Sequence, residues 1–283
     1  MLLLSLALLA IAGTVLTTAA RRRLRRAMDA VDAERRLQLR WASRTLRAAV
    51  LPVAEELLEK AAVDLERPVA HTFRTIRLGG LGFTVVVCDE QAKANVNRIA
   101  QLRGERAVGG ALSAVQSGLV RPAHVVPRAD PTLDTSKAVG LPQRYSSYDQ
   151  LFELSHPSEL FEPRSLRPGP AGRVTCWGDG RIGFRRAHPV ALREALRGAL
   201  DDTDIAKVLD FRAEQPDGSL GELLRHLALP GPKARAAAEL MTDGSDCHGL
   251  WIVAEGPARR WYRFYVYDSG LSGEGPRRWV FQW

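Results

Sequence analysis

Cysteine is scarce in this chain. Cys88, Cys176 and Cys247 are the only three among 283 residues. That number excludes a disulfide-stapled scaffold and a zinc site built on closely spaced cysteine pairs. Charge of either sign is missing from Met1–Ala20, which reads MLLLSLALLAIAGTVLTTAA. A basic stretch ahead of the apolar run is also missing, so the segment does not have the layout of an ordinary cleaved signal peptide, although Thr17–Ala20 is small enough to be cut. An extended basic surface is lacking too. The net charge is +8, but residues 21–50 hold ten arginines against three acids. The rest of the chain is close to neutral, which argues against a broad nucleic-acid-binding face.

What the N-terminus does have is one long helical pattern. Twenty apolar residues at 1.5 Å each span about 30 Å, the hydrocarbon thickness of a bilayer. Arg21-Arg22-Arg23-Leu24-Arg25-Arg26 follows at once, the composition of a lipid-headgroup anchor. Leu24, Met28, Val31, Leu39, Ala42, Leu46, Val50, Val53 and Leu57 then recur in steps of three or four with one gap, an amphipathic continuation of the same rod. Pro52 is expected to kink or break it, and Pro68 to end it. The reading is an uncleaved anchor. The positive-inside rule places the arginines, and with them the C-terminal bulk, in the cytoplasm.

Further along, Phe73–Leu78 alternates, Gly79-Gly80-Leu81-Gly82 breaks the pattern, and Phe83–Val87 (FTVVV) reads as a buried strand. A polar cluster, Cys88–Asn97, follows directly. Residues 101–145 carry little pattern beyond a short helix over Val108–Ser117 and a proline-rich connector from Arg121 to Arg144. Ser146–Leu154 predicts a serine-capped short helix and Val174–Trp177 a strand. Helices are predicted over Pro189–Leu200, Thr203–Arg212, Ser219–Leu227 with a capping box to Glu222, and Lys233–Met241. Leu250–Ala254, Trp261–Tyr267 and Arg278–Trp283 predict an antiparallel meander, with Arg259-Arg260 in its first turn. A striped helix followed by an antiparallel sheet is an α+β architecture. Five segments result: a membrane and assembly segment (1–20), its amphipathic extension (21–67), the first part of the globular domain with a connector (68–145), an inserted all-helical lobe (146–241) and a C-terminal antiparallel sheet (242–283).

Several local motifs sit in this order. Asp89-Glu90-Gln91-Ala92-Lys93-Ala94-Asn95-Val96-Asn97 has the form D-E-x-x-K-x-N-x-N. Ser147–Leu151 opens the lobe, Gly178-Asp179-Gly180-Arg181-Ile182 follows the next strand, and Ser245–Ile252 enters the last sheet. With the N-terminal helix, these resemble the K-type minor pseudopilins of type II secretion, in the pilin-like superfamily. Gly183 and Arg185 stand where that family's second asparagine pair is expected, and no basic leader precedes the apolar run. If Met1 is the first mature residue, Ser5 occupies the position where most pilin-like chains carry glutamate and the K-type does not. The resemblance puts the C-terminal bulk outside the cytoplasm, against the positive-inside reading; an N-out topology or a basic leader upstream of Met1 would remove that conflict.

The resemblance implies a pilin-like long helix packed on an antiparallel sheet. It also implies a non-enzymatic structural subunit at the tip of a pseudopilus, supporting protein export across the outer membrane. The location implied is the bacterial inner membrane, single-pass, with the globular part periplasmic. The partners implied are other minor pseudopilins, inner-membrane secretion components and the lipid bilayer, without nucleic acid. Calcium is the one cofactor it brings into view.

Among the residues themselves, Asp89, Glu90, Asn95 and Asn97 are candidate calcium ligands, being oxygen donors at short spacing. The competing use is that the side chains satisfy backbone groups in a turn. Cys247-His248 beside Ser245 and Asp246 has the composition of a nucleophile cluster, but sequence neighbours rarely converge in space as a triad must. Cys176 and Cys247, each at the edge of a predicted strand, form a candidate disulfide that leaves Cys88 free. The aromatic set Trp251, Trp261, Tyr262, Tyr265, Trp279 and Trp283 is read chiefly as sheet core. The alternative function is a single-pass envelope protein whose helix-hairpin-helix-like lobe binds nucleic acid, as in DNA uptake. Against it, residues 189–241 hold nine acids and seven bases. A membrane-tethered hydrolase finds no convergent site.

Overall fold

The structure, a computed structural model, describes residues 2–115, 121–122, 144–162, 165, 167–256, 260–269 and 277–282. The chain divides into two compact units, Met1–Leu46 and Arg47–Trp283. The first is made by α1 (Leu2–Val50), an uninterrupted helix of 49 residues whose last four belong to the second unit. Thr14, Thr17 and Thr18 turn their hydroxyls back onto the carbonyls of Ile11, Gly13 and Thr14 at 2.8, 2.6 and 2.7 Å. The hydroxyl protons are thereby satisfied within the helix. Leu9, Ile11, Val15, Leu16, Leu24, Met28 and Val31 are all exposed. Among the described residues no helix is long and apolar enough to cross a membrane. The described side chains of α1 begin at Leu9 and leave out Ala10.

In the second unit, Pro52 acts as a breaker. α1 stops at Val50, a 3-10 turn covers Leu51–Val53, and α2 (Ala54–Asp64) restarts. Proline has no N–H for the helical ladder, which explains the interruption. β1 (His71–Leu78) and β2 (Leu81–Asp89) form a hairpin closed by Gly79 and Gly80 at φ 56° and 80°, the left-handed pair a two-residue turn requires.

The chain leaves the sheet after Asp89 and makes β3 (Ala94–Asn95), α3 (Val96–Arg103) and α4 (Glu105–Val115). β4 (Arg121–Pro122), β5 (Phe152–Glu153), β6 (Val174–Thr175) and β7 (Ile182–Gly183) follow. Next come α5 (Pro189–Leu196), α6 (Asp202–Glu214), α7 (Leu220–Leu227), α8 (Gly231–Leu240) and β8 (Met241–Thr242). It re-enters the sheet through β9 (Cys247–Glu255), β10 (Arg260–Asp268) and β11 (Arg277–Gln282). The sheet order is β1-β2-β9-β10-β11, antiparallel throughout. The protein is therefore a mixed helix-and-sheet fold with a long N-terminal helix and an antiparallel sheet.

Register sorts the central strands into two faces. Val86 pairs with Trp251 and Cys88 with Gly249. Val86, Cys88, Trp251, Val253, Tyr262, Phe264 and Val266 share one core cluster with lobe residues such as Leu192, Val208 and Leu223. The alternate residues Val85, Val87, Leu250 and Ile252 are buried but lie outside that cluster, on the face where α2 packs. A strand covered on both faces has no polar side. That is why FTVVVC and GLWIVA read as continuous apolar runs.

Several expectations are corrected. Inserted helices begin at Val96, not at residue 146, and α3 and α4 pack with α5. Lobe and sheet belong to one compact unit. The helix expected over Ser146–Leu154 is a 3-10 turn at Tyr148–Gln150 running into β5. The strand at Val174–Trp177 is two residues long and pairs parallel with β3. Pro189–Leu200 ends at Leu196. Of the connector, only Arg121, Pro122 and Arg144 are described; Arg259, Trp283 and the Trp279 side chain lie outside the described residues.

Candidate functional site

The D-E-x-x-K-x-N-x-N segment sits where the chain passes from β2 into the lobe, and nearly every polar side chain in it is buried. Asp89, Glu90, Gln91, Lys93, Asn95 and Asn97 are each at most 4% exposed. Buried polar groups are tolerated only when satisfied, and here they are.

Asp89 Oδ1 accepts from the amides of Gln91 (2.9 Å) and Ala92 (3.1 Å), which fixes the turn out of β2. Gln91 Nε2 donates to Asp179 Oδ1 at 2.8 Å, and its Oε1 accepts from the Asp246 amide at 2.7 Å. Asn95 caps α3, its side chain accepting from the amides of Asn97 and Arg98, while Nδ2 donates to the Trp177 carbonyl at 2.7 Å. Asn97 Nδ2 donates to the carbonyls of Tyr145 (2.9 Å) and Cys176 (2.8 Å). Its Oδ1 accepts from the amides of Arg144 (2.9 Å) and Tyr145 (2.8 Å).

At the centre lies an ion pair. Lys93 Nζ donates to Glu90 Oε1 at 2.5 Å and to the Tyr148 hydroxyl at 3.4 Å. The Thr175 hydroxyl donates to Glu90 Oε2 at 2.7 Å. Burial opposes the ammonium, yet the Glu90 carboxylate more than offsets it, and Lys93 titrates above the ordinary lysine value. Burial pushes the Tyr148 phenol well up, so it stays a neutral donor to the carbonyls of Ala171 and Val174. Gly249 stands over this pair in β9. A Cβ there would overlap Glu90 Oε1 and approach Phe264 Cε2 to 2.9 Å. The glycine follows from that close approach.

A second cluster ties α2 to both. Glu55 lies 2.8 Å from Arg186 and 3.0 Å from His248 Nε2, and Arg186 reaches Asp89 Oδ2 at 3.4 Å. Asp89 and His248 are cross-strand partners. Burial works against the Glu55 carboxylate, but hydrogen bonds from His248 and Arg186 prevail and hold its pKa at about 2.

These contacts bear directly on the candidate residues. Asp89 Oδ1, both Glu90 oxygens, and the side-chain oxygens of Asn95 and Asn97 already accept from protein donors. Among the described residues, no group of three or more His, Cys, Asp or Glu is arranged to hold a metal. Those four side chains therefore do not fit a calcium site.

The Cys176–Cys247 bridge is not made: all three thiols are free and buried. Cys176 Sγ instead contacts the Ser147 carbonyl at 3.7 Å. Burial raises the Cys88 pKa to about 12 and lifts those of Cys176 and Cys247 well above the usual thiol value. Cys247 and His248 are successive residues of β9, so their side chains leave on opposite faces and cannot pair as nucleophile and base. Of the aromatics, Trp251, Tyr262 and Tyr265 are buried. Trp251 stacks on Phe264 at 4.3 Å and meets Phe161 edge-on at 5.1 Å.

The spacing of the motif marked Asp89–Asn97 as special. What it did not reveal was Arg186, Tyr148 and Thr175, which reach the motif from distant positions in the chain, or Glu55, which is linked to it through Arg186. No family model matches the chain, and neither does any curated protein.

Proposed function

We propose that the chain is a non-enzymatic minor pseudopilin of type II secretion, of the K-type. In this reading the apolar start of α1 anchors it in the inner membrane and then packs into a short pseudopilus against neighbouring helices. The second unit stands in the periplasm and docks on other minor pseudopilins at the tip.

One arrangement carries the reading. A long helix that begins in an uncharged apolar run leads into an antiparallel sheet. That sheet is interrupted between β2 and β9 by a helical insert hung on the buried Asp89–Asn97 segment. The self-satisfied threonines and the exposed apolar side chains of α1 suit a helix whose surroundings are lipid or other helices. The insert's polar core serves to hold two layers together.

The test is genetic complementation. Removing the gene should abolish export of type II substrates, and the wild-type chain should restore it. Leu8→Arg, which costs about 3 kcal/mol of membrane insertion at mid-helix, should not. Normal export without the gene, or with the Leu8→Arg chain as its sole copy, would overturn the reading.

A further inference from the structure

β1 is an edge of the five-stranded sheet; among the described residues, nothing pairs with its outer side. The Asp89 amide donates to the Ala70 carbonyl at 2.8 Å. The register His71↔Cys88, Thr72↔Val87, Phe73↔Val86 continues that pairing without a bulge. In an antiparallel pair, the residues that exchange hydrogen bonds alternate with those that do not. Thr72 and Arg74 therefore point their backbone groups at β2. His71, Phe73 and Thr75 point theirs outward. The Phe73 side chain is 50% exposed beside them.

A cleft of about 910 Å³ runs along the start of this edge. One wall is the run from Asp64 to Arg74. The other comes from the insert, where Arg167, Arg173, Arg185, Arg186 and Arg212 outnumber the carboxylate of Glu162. Among the described residues, Arg67, Arg167, Arg173 and Arg212 form no ion pair with a carboxylate, in contrast to Arg185 and Arg186 nearby. Arg173 and Arg212 spend hydrogen bonds on backbone carbonyls. Burial first, then Lys93 and Arg167, pull His71 down to about 4. Burial first, then Arg173 and Arg212, lower His188.

We propose that the outer edge of β1 and this arginine cleft take up an extended acidic segment of a partner protein as an added strand. Its main chain pairs with the outward groups of His71, Phe73 and Thr75. Its carboxylates meet Arg67, Arg167 and Arg173. Strand addition to an exposed edge supplies affinity through the backbone and specificity through alternate side chains. Arg74 and Arg77 on β1 discourage pairing with another copy of the same edge, and that charge favours an acidic guest. The inference does not depend on the secretion reading.

The test uses the full chain in neutral detergent at low ionic strength, with a fluorescein-labelled peptide alternating glutamate and valine. Anisotropy should show saturable binding, absent for a lysine–valine peptide. Arg167 is exposed, and the hydrogen bonds it makes to Glu162 and Ser165 use its backbone, so Arg167→Glu should leave them in place and weaken binding by at least about tenfold, as expected for losing a charge-assisted hydrogen bond. Phe73→Pro removes an outward N–H and should abolish binding, whereas Phe73→Ala should retain it. If Phe73→Pro lowers the melting temperature, amide exchange in the wild-type chain decides: the peptide should slow exchange at His71, Phe73 and Thr75. No saturable binding would overturn the proposal. So would competition by inorganic phosphate with no slowing at these amides, which would leave an anion site without strand addition.

Discussion

Lys93 Nζ sits 2.5 Å from Glu90 Oε1, with the two side chains 1% and 0% exposed. A lone charge at that depth costs several kcal/mol, so neither residue stays without the other. Lys93→Met should destabilise the second unit by about 3–5 kcal/mol, the usual result of orphaning a buried partner. Adding Glu90→Leu should recover much of the loss, because an apolar pair of similar volume needs no compensation. Denaturant unfolding of the full chain in detergent, run as a double-mutant cycle, measures both. A single variant that loses less than about 1 kcal/mol would show that the pair is solvated.

Asn97 uses both atoms of its amide twice, on Tyr145, Cys176 and Arg144. Asn97→Asp keeps the acceptor but loses the donors and faces two carbonyls with a carboxylate. A loss of about 2–4 kcal/mol is expected from the orphaned buried groups. The loss should be the same with and without added calcium, and faster amide exchange should appear at Arg144 and Tyr145. Calcium-dependent rescue of Asn97→Asp would instead make this oxygen a metal ligand.

How much of this was legible in the sequence depended on the range of the interaction. The Ser219–Glu222 capping box is local, and both of its bonds form. The break at Gly79-Gly80-Leu81-Gly82 and the run FTVVV were equally readable, because each signal lies within a few residues; that Gly79 and Gly80 alone make the turn was not. Ser146–Leu154 misled for the opposite reason. Its serine opening resembles a cap, but Tyr148 is drawn into an aromatic cluster with Trp177, Trp251 and Phe264, and that tertiary packing overrides propensity. α4 was partly legible through Val108, Ala111, Leu112 and Val115, all buried at helical spacing, while its membership in the lobe was not. Nothing in a local window says that Lys93 is buried. Its partner Tyr148 comes from far along the chain, as do Thr175 for Glu90 and Arg186 for Asp89.

Acid should weaken the fold in two separable windows. His71 titrates at about 4 in the folded chain against an ordinary 6.5. The unfolded chain therefore binds a proton that the folded one refuses. Stability from this group is complete above pH 6.5 and declines as the pH falls toward 4. Glu55, held at about 2 against an ordinary 4.5, contributes stability above pH 4.5 that is lost as the pH falls toward 2. Between pH 4.5 and 6.5, His71 should dominate, with His188 adding in the same direction. Thermal midpoints at pH 7 and pH 5 should differ in the wild-type chain and differ less in His71→Gln. An equal drop in both would remove His71 as the cause.

The three thiols yield the last prediction. Cys88, Cys176 and Cys247 are at most 1% exposed. Alkylation needs the thiolate, and burial holds all three in the protonated form. The native chain should therefore take up almost no iodoacetamide in an hour at pH 8, while the unreduced chain in guanidinium should take up three. Mass spectrometry distinguishes the outcomes by added mass. Two fewer labels in guanidinium would reveal a Cys176–Cys247 bridge, and the short turn from Cys176 through Gly178, whose Cβ position lies 3.5 Å from that of Cys247, would be where the backbone yields to form it. Full labelling of the native chain would mean that the lobe opens on the experimental timescale, since Cys88 and Cys247 lie under the interface between sheet and insert and are reached only when the two part.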